Sequence, residues 1–82
     1  MSQLRMGKKT KKKPNELLLA ATTYFGPTGL GLKIIPREEN VILFTNDSAF
    51  VQISAEPTAS GTEIDIQSRE LSYDVKRFLR RL

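Results

Sequence analysis

The spacing of apolar residues changes period along the chain, and each change marks a predicted element. Leu17, Ala20, Ala21, Tyr24 and Phe25 fall at i, i+3, i+4, i+7 and i+8. That spacing lines one face of a helix. Pro14 suits the first helical turn or the position before it, Asn15 suits an N-cap, and Glu16 lies near the positive end of the helix dipole. Gly26-Pro27 stops the helix. Thr22-Thr23-Tyr24 works against it, because β-branched and aromatic residues favour strands.

Beyond the stop the period is two. Leu30, Leu32 and Ile34 alternate with Gly29, Gly31 and Lys33, and Pro36 ends this strand. Arg37-Glu38-Glu39-Asn40 turns the chain into a short apolar run, Val41 to Phe44, and Thr45-Asn46-Asp47-Ser48 turns it again. Ala49, Val51, Ile53 and Ala55 then alternate with Phe50, Gln52 and Ser54. After the Pro57–Gly61 loop, Thr62, Ile64 and Ile66 alternate with Glu63, Asp65 and Gln67. Short connections between such strands imply an antiparallel meander. The helical period returns with Leu71, Val75, Phe78, Leu79 and Leu82, where Ser72 suits a cap and Asp74 the first turn.

These elements predict a two-layer α+β fold of order αββββα: a four-stranded antiparallel meander flanked by an N-terminal and a C-terminal helix. Leu30, Leu32, Ile34, Val51, Ile53, Ile64 and Ile66 form the sheet face under the helices. Residues 1–13 show no apolar period and are expected to be a disordered basic tail, leaving residues 14–82 as one α+β domain.

Composition narrows the chemistry. The 82 residues include no cysteine and no histidine. Disulfides, thiolate metal sites and His-based nucleophile systems are therefore excluded. No cofactor is implied, and an enzyme is not expected. No apolar run approaches the roughly 20 residues of a membrane helix. A secretory h-region is also missing, so an intracellular, cytoplasmic protein is the expectation.

The net charge of +4 is unevenly spread. Residues 1–14 hold six cations and no acid, residues 15–68 two cations against seven acids, and residues 69–82 five cations against two acids. Two basic features follow. Lys8, Lys9, Lys11, Lys12 and Lys13 form a dense run, and Lys76, Arg77, Arg80 and Arg81 fall on one side of the last helix. Both suit phosphate contact, making nucleic acid one candidate partner. Both also fit solvated surface, with the helix cations suiting a helix C-terminus.

The second sheet face carries Lys33, Ile35, Phe50, Gln52, Ser54, Glu63, Asp65 and Gln67. The Val41–Phe44 run adds either Ile42 and Phe44 or Val41 and Leu43. Ile42, Phe44 and Phe50 are the candidate partner-binding residues, since exposed apolar patches mark partner or dimer surfaces. The leading expectation is therefore a non-enzymatic interaction module that binds a protein partner or a second copy of itself. Glu63 and Asp65 have the spacing of paired carboxylates, a pattern that solvated strand faces also produce. Gly26-Pro27-Thr28-Gly29-Leu30-Gly31 lacks the Gly-Lys-Ser/Thr ending of a phosphate loop, and reads as a helix stop.

Overall fold

A computed structural model describes residues 3–82. The order is β1 (Gln3–Thr10), α1 (Pro14–Phe25), β2 (Lys33–Glu38), β3 (Val41–Thr45), β4 (Phe50–Thr58), β5 (Gly61–Arg69) and α2 (Ser72–Arg80). The five strands form one antiparallel sheet of order β1-β5-β4-β3-β2. The α+β class and the β2–β5 meander agree with the sequence pattern.

The expected disordered tail does not hold over the described residues. Residues 3–10 are a strand paired with β5 along its whole length, from Gln3↔Arg69 to Thr10↔Thr62. The sheet therefore has five strands, not four. The reason lies partly in alternation: Leu4 and Met6 point toward the helices and pack against the core, while Arg5 and Lys9 point the other way. Charge supplies the rest. On its open face β5 offers Glu63 and Asp65, opposite Lys9 and Gly7. The cations of one segment thus meet the acids of another. β1 is also an edge, and lysines on an edge strand discourage pairing with another chain.

Two further expectations need correcting. The first meander strand lies at residues 33–38 rather than starting at Gly29, and Pro36 sits inside it rather than ending it. Proline is tolerated because β2 is the other edge of the sheet. Leu30 consequently belongs to the turn after α1 and is 43% exposed rather than in the core. The caps differ too. Lys13 and Leu71 occupy the two N-cap positions without side-chain capping bonds, while the Asn15 carboxamide accepts the Glu16 N–H at 3.0 Å.

Both helices lie on the same sheet face. α1 packs over β4, and α2 over β5 and β1. Leu17, Ala21 and Phe25 of α1 and Val75, Phe78 and Leu79 of α2 are buried on Phe44, Val51, Ile53, Ile64 and Ile66. Phe25 links the layers: its ring lies 5.7 Å from that of Phe44 and 5.3 Å from that of Phe78. The threonine hydroxyls of α1 donate to carbonyls four residues back, a bond the helix accommodates without breaking. Thr22 bonds the Leu18 carbonyl at 2.8 Å, and Thr23 the Leu19 carbonyl at 3.1 Å.

The strand-to-strand closure has its own fastenings. The Thr62 hydroxyl donates to the Lys12 carbonyl at 2.6 Å. Lys8 Nζ donates to the Leu79 carbonyl at 2.7 Å, beside the Leu82 N–H that donates to the same oxygen at 3.2 Å, so strand and helix end are tied together. Gly61 has φ +153°, and the chain after β1 passes directly over it. A Cβ there would meet the Thr10 carbonyl oxygen and lie 2.8 Å from Lys11 Cα. Only glycine fits that crossing.

Candidate functional site

Because both helices cover one side, the other side of the sheet is open. Register decides what it shows. Phe44 pairs with Val51 and is fully buried, and Ile42 pairs with Ile53 and packs on the core. Both point to the helices, so neither belongs to an open-face patch. This corrects two of the three expected partner-binding residues. Phe50 pairs with Thr45, one step out of phase with Phe44, and does face outward. Its companions are Val41 and Leu43, the other half of the apolar run, together with Ile35, which pairs with Leu43. The alternation of a strand gives one face to each half of such a run, and only the pairing register says which.

The open face thus divides in two. Across β2, β3 and one end of β4 lie Ile35, Val41, Leu43 and Phe50, with Ile35 39% exposed and the other three half-buried. Across β5 and β1 lie charged and polar residues. Arg5 Nη2 reaches Asp65 Oδ2 at 2.9 Å, and Arg5 Nε reaches Oδ1 at 3.4 Å. This fork raises the Arg5 pKa above its ordinary value, first through the hydrogen bond and then through charge. Lys9 stands opposite Glu63. The two carboxylates that share this strand face are therefore neighbours of cations, and no group of three or more acids arranged to hold a metal is present among the described residues.

The nine basic residues proposed for nucleic acid do not form one patch. Lys8 bonds the end of α2, and Lys9 faces the acids of β5. Lys11, Lys12 and Lys13 are exposed in the β1–α1 link. On α2 the cations separate onto two flanks of the buried stripe. Arg77 and Arg81 border a groove of about 750 Å³ between α1 and α2, shared with Glu16 and Asp74. The Arg81 guanidinium lies 5.3 Å from the Tyr24 ring centroid, a cation–π distance. Lys76 and Arg80 border a different groove, of about 570 Å³, between α2 and β1. Its floor includes Met6 and Leu79, and Tyr73, 67% exposed, joins the cations on its wall.

Sequence reasoning missed Tyr73. The signal was present: Tyr73, Lys76 and Arg80 lie at i, i+3 and i+7, one stripe of a helix. It gained meaning only when β1 proved to be a strand alongside. Leu19 was also missed. It is 69% exposed on α1 and lines the α1–α2 groove with Leu30.

No family model and no curated protein matches this sequence. Among solved structures, the chain is similar to the crystal structure of the protein SSP2350 from Staphylococcus saprophyticus. The TM-score is 0.57 at 16% identity, over 95% of this chain and 78% of that one. The likeness is one of fold. No helix among the described residues is long and apolar enough to cross a membrane.

Proposed function

We propose that the protein is a small interaction module rather than an enzyme, and that its docking surface is the apolar half of the open sheet face: Ile35, Val41, Leu43 and Phe50. One observation carries this reading. Helices cover a single face of the sheet, yet the uncovered face holds four apolar side chains across β2–β4: Ile35 opposite Leu43, Val41 two residues along β3, and Phe50 diagonal to Leu43. A solvated antiparallel face ordinarily alternates to polar residues, as β5 does. An uncovered apolar cluster rimmed by polar groups marks a partner site.

The partner proposed is a second copy of this chain. Face-to-face packing of two sheets buries apolar side chains of both inner faces together. A twofold axis through the β3 region lays one apolar half on the other and leaves the Arg5–Asp65 side at the rim. The test is sedimentation of the wild-type chain over a wide concentration range beside Phe50→Asp and Leu43→Asp. Self-association is expected for the wild type and is expected to be lost in both variants. A chain that stays monomeric throughout, with β2–β4 amide signals independent of concentration, overturns the homodimer. If a Phe50→Asp chain also captures the same proteins as the wild type, the face is not a docking surface.

A further inference from the structure

We infer that the groove between β1 and α2 is a binding site for single-stranded nucleic acid, with Tyr73 as the base-stacking platform and Lys76 and Arg80 as the phosphate contacts. This site lies on the helix side of the sheet and is separate from the open face proposed above.

Three observations converge on it. First, the groove is cationic without compensation. Lys76 and Arg80 are exposed and make no ion pair with any described residue, and no acidic side chain lines the groove among the described residues. The larger α1–α2 groove differs in this respect, since Glu16 and Asp74 there oppose Arg77 and Arg81. Second, a tyrosine ring stands 67% exposed on the same wall. An exposed aromatic gives little to folding, but a flat ring beside cations suits a base stacked next to its own phosphate. Third, the groove is fixed in place. The Lys8 ammonium is committed to the Leu79 carbonyl, which ties the strand to the helix. The positive lane continues past the end of α2, where Lys11 and Lys12 line a further depression with Leu82. From Tyr73 to Arg80 the helix axis spans about 10 Å.

The occupant follows from shape and chemistry. Each base has a π-face, so stacking tolerates sequence, but the base must be unpaired to reach the ring. A duplex offers its phosphates and hides its bases. An acidic protein or an anionic membrane would use Lys76 and Arg80 with no need of Tyr73.

The experiment is fluorescence anisotropy of labelled oligouridylate and oligodeoxythymidylate with the full chain, between 50 and 200 mM salt. Duplex DNA and phosphatidylserine vesicles serve as competitors. If about four cations (Lys11, Lys12, Lys76, Arg80) meet phosphates, affinity for the single strand should fall about 50-fold across that salt range. Tyr73→Ala should weaken binding by about 5- to 150-fold, and Tyr73→Phe should keep it, because the ring stacks and the hydroxyl does not. Lys76→Gln with Arg80→Gln should weaken binding and flatten the salt slope by roughly 1.4 log units per log unit. Lys33→Gln with Arg37→Gln, the same loss of charge on the far edge, should do neither. Phe50→Asp should leave the site intact, so failure of the open-face reading and failure of this one are distinguishable. The inference is overturned if the single strand does not bind at 50 mM salt. It is equally overturned if Tyr73→Ala binds like the wild type while remaining folded, or if duplex or vesicles displace the single strand as readily as unlabelled single strand does.

Discussion

Met6→Asp tests whether the basic N-terminal segment is a strand of the fold or a solvated tail. Met6 pairs with Ile66, its side chain faces the helices, and it packs against the core half-buried. Losing half the burial of a methionine costs about 1 kcal/mol. Placing a carboxylate in that seam beside Ile66 adds about 1–3 kcal/mol of desolvation, net of the weak attraction from the solvent-exposed Lys76 and Arg80 on the groove wall. The total is about 2–4 kcal/mol. A protein of this size is stable by roughly 4–12 kcal/mol, so the loss is a large fraction of the whole. Urea unfolding followed by circular dichroism measures it. With a slope of about 1 kcal/mol/M, the midpoint should fall by roughly 2–4 M. Lys9→Gln, on the exposed side of the same strand, is the control and should shift the midpoint far less. If Met6→Asp unfolds within about 0.5 M of the wild type, β1 does not contribute to the cooperative fold. The pairing with β5, and the β1–α2 groove that depends on it, would then both be wrong.

Other perturbations probe the remaining joints. Gly61→Ala should destabilise the chain by more than about 1 kcal/mol, because its Cβ collides with the backbone crossing from Thr10 to Lys11; an unchanged thermal midpoint would refute that crossing. Phe78→Ala removes a ring in contact with both Tyr24 and Phe25 and should cost about 3–5 kcal/mol, read as a thermal midpoint lower by more than about 12 °C. Lys8→Met keeps the apolar stem but removes one of the two donors to the Leu79 carbonyl, and should cost up to about 1 kcal/mol while raising hydrogen exchange at the end of α2. Ser68 is buried with a hydroxyl that finds no partner among the described residues. Ser68→Ala should therefore be neutral or stabilising, and a loss above about 1 kcal/mol in chemical denaturation would show that the hydroxyl is satisfied.

The comparison of sequence with structure turns on a few residues. Periodicity alone located both helices, because Leu17, Ala21 and Phe25, and Val75, Phe78 and Leu79, recur at a spacing that only a helix brings to one face. It also located β4 and β5, whose alternation is strict. It misplaced β2 because Pro36 is a strand breaker in the interior of a sheet, and nothing local says that this strand is an edge. It missed β1 because two apolar residues among lysines do not look like a strand. Their pairing partner, β5, lies about 60 residues away.

The candidate surfaces divide in the same way. Composition by itself removed cysteine and histidine chemistry and revealed the opposed charges of the N-terminal segment and the middle of the chain. Hydrophobic spacing revealed a surplus of apolar residues in Val41–Phe44. These properties are fixed by residue identity and by short-range geometry, so the sequence determines them directly. Which half of that surplus is exposed, whether Lys8 caps a helix or meets solvent, and whether Tyr73 borders a groove were decided only by tertiary structure. Each depends on strand register or on two distant segments lying side by side. A shift of one residue in pairing would have exchanged Leu43 for Phe44 without changing any local preference. Long-range packing of β1 against β5 and α2 settles the outcome.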